Sequence, residues 1–114
     1  MACPYFYPVV RSQTATAPAR APLGALYEGY CQAVPHAPLH ESCNFGYGRS
    51  CCTHFPLVPS GDAVRFTTTA EGKLLYVIET NYSPSEHGSA DSPHLPGAIR
   101  RQAEVFLENW KRFV

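Results

Sequence analysis

In the run Asp62-Ala-Val-Arg-Phe-Thr-Thr-Thr-Ala-Glu-Gly-Lys-Leu-Leu-Tyr-Val-Ile78, apolar side chains recur with a period of two. Val64, Phe66 and Thr68 share one face of an extended strand, and Leu74, Tyr76 and Ile78 share one face of the next. Residues 70–73 predict the turn between them, with Gly72 supplying the positive φ that a tight hairpin needs. Downstream, Ile99, Ala103, Phe106, Trp110 and Phe113 return at helical spacing, and Leu107 widens the stripe. Pro96 suits the first turn of that helix, where its missing N–H costs nothing. The stripe is expected to pack on the hairpin and form the core. The polar segment between them, residues 81–96, reads as a loop rich in Ser, Pro, His and Gly.

Upstream of residue 61 the chain is of another kind. All five cysteines, eight of eleven prolines and eight of fourteen aromatics fall in the first 60 residues, with only five of the eighteen charged residues. Proline removes a backbone donor and restricts its predecessor, so residues 12–22 cannot make a long helix or a central strand. Residues 23–33 predict a short helix carrying Cys31 near its end. Residues 40–48 predict another turn or two, with Cys43 near the start. The expected class is α+β in a single domain, 1–114: an irregular Pro- and aromatic-rich half (1–60) around a four-Cys centre, then the hairpin and amphipathic helix (61–114).

The chain's 114 residues suffice for one domain with a modest core. Nine basic residues balance nine acidic ones, which argues against nucleic-acid binding through a broad basic face and against a polybasic membrane anchor. No segment approaches the ~20 apolar residues of a bilayer span. The N-terminus lacks the basic start and unbroken apolar run of a secretory signal, so the expected location is cytoplasmic.

Five thiols in such a chain call for an account. A disulfide framework favours even cysteine counts and an oxidising compartment, and neither fits. The remaining readings are unrelated buried cysteines and a metal centre, and clustering within a Pro-rich half favours the metal centre. Four thiolates satisfy either a tetrahedral zinc or an iron–sulfur cluster. The candidate set is Cys3, Cys31, Cys43 and one of Cys51 and Cys52, whose side chains diverge because they are neighbours. Structural zinc sites pair their ligands two to four residues apart. Here the intervals are 27, 11 and 7 or 8 residues, and no C-x-x-C occurs. Tyr5, Phe6, Tyr7, Tyr30, Phe45, Tyr47 and Phe55 lie within four residues of a cysteine, and Pro4 follows Cys3 as in bacterial ferredoxin runs. These features favour [4Fe–4S], with Zn2+ as the alternative cofactor.

The motifs Cys3-Pro-Tyr-Phe6 and Cys43-Asn-Phe-Gly-Tyr47, followed by Cys52-Thr-His-Phe-Pro56, resemble a family of small uncharacterised bacterial proteins. Its members open with CPYF, carry a lone Cys after a short Leu-Gly-containing helix, and then show C-N-x-G-Y and C-x-x-F-P. The resemblance implies that Cys52, rather than Cys51, is the fourth ligand; it implies no activity.

Other chemistry has less support. Cys52 and His54 invite a nucleophile-and-base reading, but catalytic pairs generally come from distant segments. His54 is an alternate ligand beside the proposed site, as is Cys51. His36, His40, His87 and His94 read as loop residues. Arg49 has two readings, a charge close to a cluster or an exposed loop arginine. The expected function is an iron–sulfur protein for electron transfer, or an accessory subunit of a protein redox partner or larger complex. No catalytic residue is assigned. A structural zinc-binding interaction module is the first alternative, and a thiol redox sensor using Cys51 and Cys52 the second.

Overall fold

The computed structural model describes residues 2–12, 23–40, 42–57 and 60–112. The hairpin forms as its pattern dictates. Strand β3 (Ala63–Thr68) pairs antiparallel with β4 (Leu74–Thr80), Val64 opposite Ile78 and Phe66 opposite Tyr76. Val64 and Phe66 are buried while Arg65 and Thr67 face water, the alternation of a half-buried strand. The Thr69 N–H donates to the Lys73 carbonyl at 2.8 Å, and Gly72 closes the turn at φ 85°.

A third strand, β5 (Ser83–Ser89), pairs with the free edge of β4 in what reads by composition as a loop. Asn81 and Tyr82 both adopt positive φ (51° and 65°) between the paired residues Thr80 and Ser83, a two-residue hairpin turn. Asn tolerates this region and tyrosine rarely does, so no Asn-Gly signal marks the turn. Strand β5 buries no residue. Backbone pairing alone makes it a strand, and its polar side chains and Pro84 suit a sheet edge.

Residues 23–33 do not make the expected short helix. They form strand β2 (Tyr27–Cys31), antiparallel to β1 (Phe6–Arg11), with Phe6 opposite Cys31 and Tyr7 opposite Tyr30. A short apolar run does not distinguish helix from strand by period. Here pairing decides: Gly29 lies so close to the Tyr7 carbonyl that a Cβ would stand 1.9 Å from it. The N-terminal half is therefore not wholly irregular. The Pro-rich residues 13–22 lie outside the described residues.

Helix α2 (Gly97–Arg112) begins immediately after Pro96, whose carbonyl accepts the Arg100 N–H at 3.0 Å. It packs chiefly on β1, with lesser contact to β3 and β4. Its buried face is rotated from the expected stripe. Ile99 and Ala103 are buried, but so are Gln102, Val105 and Asn109, whereas Trp110 is 45% exposed. Phe106 stacks between Phe66 (5.6 Å) and Trp110 (6.1 Å), linking helix to sheet. Phe113 lies outside the described residues. The architecture is thus α+β, with two small antiparallel sheets sharing one helix. One core joins both halves, from Ala2, Phe6, Leu23 and Tyr27 to Val64, Ile78, Ile99 and Val105. Each fully buried aliphatic or aromatic side chain there contributes about 2 kcal/mol by removal from water.

Candidate metal centre

Four segments distant in sequence carry the thiols, and each is fastened by an identifiable contact. Ala2 exchanges both backbone hydrogen bonds with Val64 (2.9 and 2.7 Å), extending the sheet beside β3 and fixing the start of the Cys3 turn. The turn closes with the Phe6 N–H donating to the Cys3 carbonyl at 3.1 Å. From α2, Gln102 Nε2 donates to the carbonyls of Cys3 (2.8 Å) and Phe6 (2.7 Å). Cys31 ends β2, and the next residue ties that strand to the helix: Gln32 Oε1 accepts the Ala98 N–H at 3.0 Å.

Cys43 lies in the single turn α1 (Ser42–Phe45). Gly46 stops this turn at φ 84°, its N–H donating to the Ser42 carbonyl at 2.7 Å. A Cβ there would meet Ala63 Cβ at 2.7 Å, so glycine also lets the turn lie against β3. Asn44 docks α1 on β2 as if it were a strand partner. Its Oδ1 accepts the Tyr27 N–H at 2.9 Å and its Nδ2 donates to the Tyr27 carbonyl at 3.1 Å. His40, expected as a plain loop residue, caps α1 by accepting the Ser42 N–H at Nδ1, 3.1 Å away. The Cys3 N–H then donates to the Cys43 carbonyl at 3.1 Å, which sets the first and third cysteines side by side.

The 3-10 turn Gly48–Ser50 leads into the vicinal pair. Both N–H groups, of Cys51 and Cys52, point to the Gly48 carbonyl (3.1 and 2.6 Å). The side chains part company: Cys51 is exposed, whereas Cys52 is half-buried. Phe55 follows and sets its edge against Tyr5 (5.9 Å, 77°), bringing the Cys52 turn beside the Cys3 turn.

The four thiols share one electrostatic neighbourhood. Burial pushes the Cys3 thiol up to about 12, opposed by a backbone hydrogen bond from Tyr5, and Cys43, Cys31 and Cys52 each push it further. Burial also raises the Cys43 thiol, with Cys52 and Cys31 adding to the rise. Backbone N–H groups point at two of the sulfurs: Val34 at Cys31 Sγ and His40 at Cys43 Sγ, both at 3.4 Å. All five cysteines are free thiols. Among the described residues, no three His, Cys, Asp or Glu side chains converge as a single bound ion would require.

Other expected neighbours are placed elsewhere. His54 is exposed on the turn after Cys52. Arg49 forms an ion pair with buried Asp62 at 2.9 Å, a charge contact without hydrogen-bond alignment. Asp62 Oδ2 meanwhile accepts the Asn81 N–H at 2.8 Å. Tyr47, at φ 60°, donates its hydroxyl to Glu79, which Arg65 also engages at 2.7 Å. Burial and this carboxylate push the Tyr47 phenol up to about 12. Tyr7 stacks on Tyr30 across the β1–β2 ladder at 5.0 Å, and Phe45 is exposed. Of the aromatics near cysteines in sequence, Tyr5, Phe6 and Phe55 lie nearest the Cys3 turn through the contacts above.

The residues that sequence reasoning missed here are amides: Gln32, Asn44 and Gln102. Only Gln102 carries a visible signal, a polar side chain set between Ile99 and Phe106 on an apolar helical stripe. No known family, curated protein or solved structure matches this chain. Among the described residues, no helix is long and apolar enough to cross a membrane.

Proposed function

We propose that this protein binds a [4Fe–4S] cluster through Cys3, Cys31, Cys43 and Cys52, and serves as a one-electron carrier or accessory subunit of a protein redox partner. The observation that carries this reading is the pairing of the Cys3 and Cys43 turns through the Cys3 N–H bond to the Cys43 carbonyl at 3.1 Å, with the thiols of Cys31 and Cys52 near enough to act on both. A buried thiol that resists ionisation, with three other thiols acting on it, has an evident use if a cation replaces its proton.

The spacing supports a cluster over zinc. Sulfurs on one tetrahedral zinc lie about 3.8 Å apart, given a Zn–S bond near 2.3 Å. In sequence the candidate ligands include no C-x-x-C pair of the kind that sets two sulfurs at that distance on a zinc knuckle. Backbone N–H groups directed at Cys31 and Cys43 are the kind of contact that tunes a cluster's potential. Four protein ligands occupy all four corners of a cubane, which suits electron transfer or a structural staple.

The test is metal analysis of protein prepared without oxygen. The cluster reading expects a brown protein with broad absorbance near about 400 nm and about four iron per chain. A colourless protein holding one zinc would replace it with the zinc-module reading.

A further inference from the structure

Two tyrosines with unusual backbone conformations face each other beside the β3–β4–β5 sheet. Among the described residues, Tyr47, Asn81 and Tyr82 are the only ones other than glycine with positive φ (60°, 51° and 65°), a region that a ring-bearing side chain rarely enters. Buried Asp62 grips both turns. Its carbonyl accepts the Tyr47 N–H at 2.9 Å, and its Oδ2 accepts the Asn81 N–H at 2.8 Å. The two rings stack at 4.4 Å between centroids, 17° from parallel. Tyr82 gains little burial in return, being 75% exposed. Costly conformations persist only where the surroundings fix them, and here they hold one phenol against another. The Tyr47 hydroxyl donates to the carboxylate of Glu79, which Arg65 also engages at 2.7 Å.

No other described tyrosine combines a stacked phenol with a proton acceptor. Tyr7 and Tyr30 stack at 5.0 Å and 16°, but neither hydroxyl has a carboxylate partner among the described contacts. Tyr76 donates to Glu86 at 3.2 Å but stacks on no second tyrosine. We propose that Tyr47 and Tyr82 form an oxidative cross-linking site, where one-electron oxidation joins the two rings as dityrosine. The oxidant is hydrogen peroxide acting through a haem peroxidase. Exposed Tyr82 gives up one electron and its phenolic proton. Tyr47 then returns an electron across the stack and passes its own phenolic proton to Glu79, which lies within hydrogen-bond reach, while Tyr82 regains a proton from water. A second oxidation of Tyr82 leaves two facing phenoxyl radicals. A carbon–carbon bond forms between the carbons beside the two hydroxyls, and the hydrogen on each of those carbons moves to oxygen, restoring both phenols. One peroxide accepts the two electrons and two protons and becomes two waters. The new bond fastens the turn after α1 to the β4–β5 turn. It uses no thiol, so it stands apart from the cluster reading.

The experiment treats the full chain, at low protein concentration, with a haem peroxidase and limiting hydrogen peroxide. Dithiothreitol then reverses any disulfide, leaving the carbon–carbon bond intact, and digestion with mass spectrometry maps the cross-link. The expected product is a monomer with dityrosine fluorescence, lighter by two hydrogen atoms, in which Tyr47 and Tyr82 are joined. Tyr82→Phe keeps a ring at an exposed position and should lose the product, whereas Tyr30→Phe should retain it. The Tyr7–Tyr30 stack, which lacks a proton acceptor, should stay unjoined. Joining of Tyr7 to Tyr30, dityrosine found only in cross-linked dimers, an undiminished yield in Tyr82→Phe, or no dityrosine at all overturns the proposal.

Discussion

The β3–β4–β5 sheet and the β1–β2 ladder use the same antiparallel pairing, but different forces attach each to the rest of the molecule. In the first, alternating apolar side chains do the work: Val64, Phe66, Tyr76 and Ile78 turn inward and Phe106 closes over them. In the second, polar side chains of distant elements grip the backbone. Gln102 holds Cys3 and Phe6, Asn44 holds Tyr27, and Arg101 donates to the carbonyls of Pro8 (2.8 Å) and Val9 (3.1 Å). Asn109 adds a bond to the Tyr27 hydroxyl at 2.7 Å. Apolar burial adds to this in the same half through Phe6, buried to 1% exposure, Leu23 and Tyr27. Hydrophobic burial is non-directional, so it stabilises a sheet without fixing its loops to fractions of an ångström. Amide-to-carbonyl contacts are directional, and here they hold the turns that carry Cys3 and Cys43.

The comparison can be broken at several points. The largest effect is expected from Phe6→Ala, which removes a fully buried ring from the cysteine half and should cost about 4 kcal/mol in urea unfolding. A cost below 1 kcal/mol would mean that polar clamps alone carry that half.

Next comes alkali. The folded Cys3 thiol stays protonated to about 12, while the unfolded one ionises near 9.0. The unfolded state therefore loses its proton first, and stability present below pH 9 drains away as pH rises toward 12. Between pH 9 and 11 the metal-free protein should lose about 2 kcal/mol on this account. Cys43 and Tyr47 act in the same direction. Urea midpoints at the two pH values measure the loss, and a flat profile would contradict the burial of Cys3.

Gln102→Leu should cost about 1–2 kcal/mol by leaving two carbonyls without their side-chain donor. It should also reduce iron loading, since it frees the Cys3 turn. Val64→Ala offers the contrast: a comparable or larger stability loss from the sheet side, with loading retained at low temperature. Equal loading in both variants would erase the distinction between the two regions.

The smallest effect belongs to Cys51→Ser, expected within about 0.5 kcal/mol and without change in iron content, as for an exposed side chain. Cys52→Ser should instead lower iron content. Equal behaviour of the two variants would remove Cys52 from the ligand set.

Period and composition made the hairpin and helix α2 legible, because Val64, Phe66, Tyr76, Ile78 and Ile99 follow simple rules of which side faces the core. They failed at β5, where Ser83–Ser89 has no apolar face to read and becomes a strand only because the β4 edge offers its backbone groups. They failed again at β2, whose short run fits either period until β1 supplies a partner. On α2, an apolar stripe was visible, but not its rotation. Trp110 gave way to Gln102 and Asn109 because the facing surface is the backbone of the Cys3 turn and the hydroxyl of Tyr27. A buried carbonyl needs a donor more than the helix needs another ring inside.

By itself the sequence determined the β3–β4 hairpin and helix α2, and it set all five thiols in its first half. Those properties follow from side-chain type and spacing, which are local. Only the tertiary structure decided which segments of the first half lie together. Cys3, Cys31, Cys43 and Cys52 share a neighbourhood because a strand edge, a ladder, a helical turn and a 3-10 turn converge, and contacts spanning up to 99 positions hold them there. Such contacts depend on where distant backbone groups come to rest, and no local spacing encodes that.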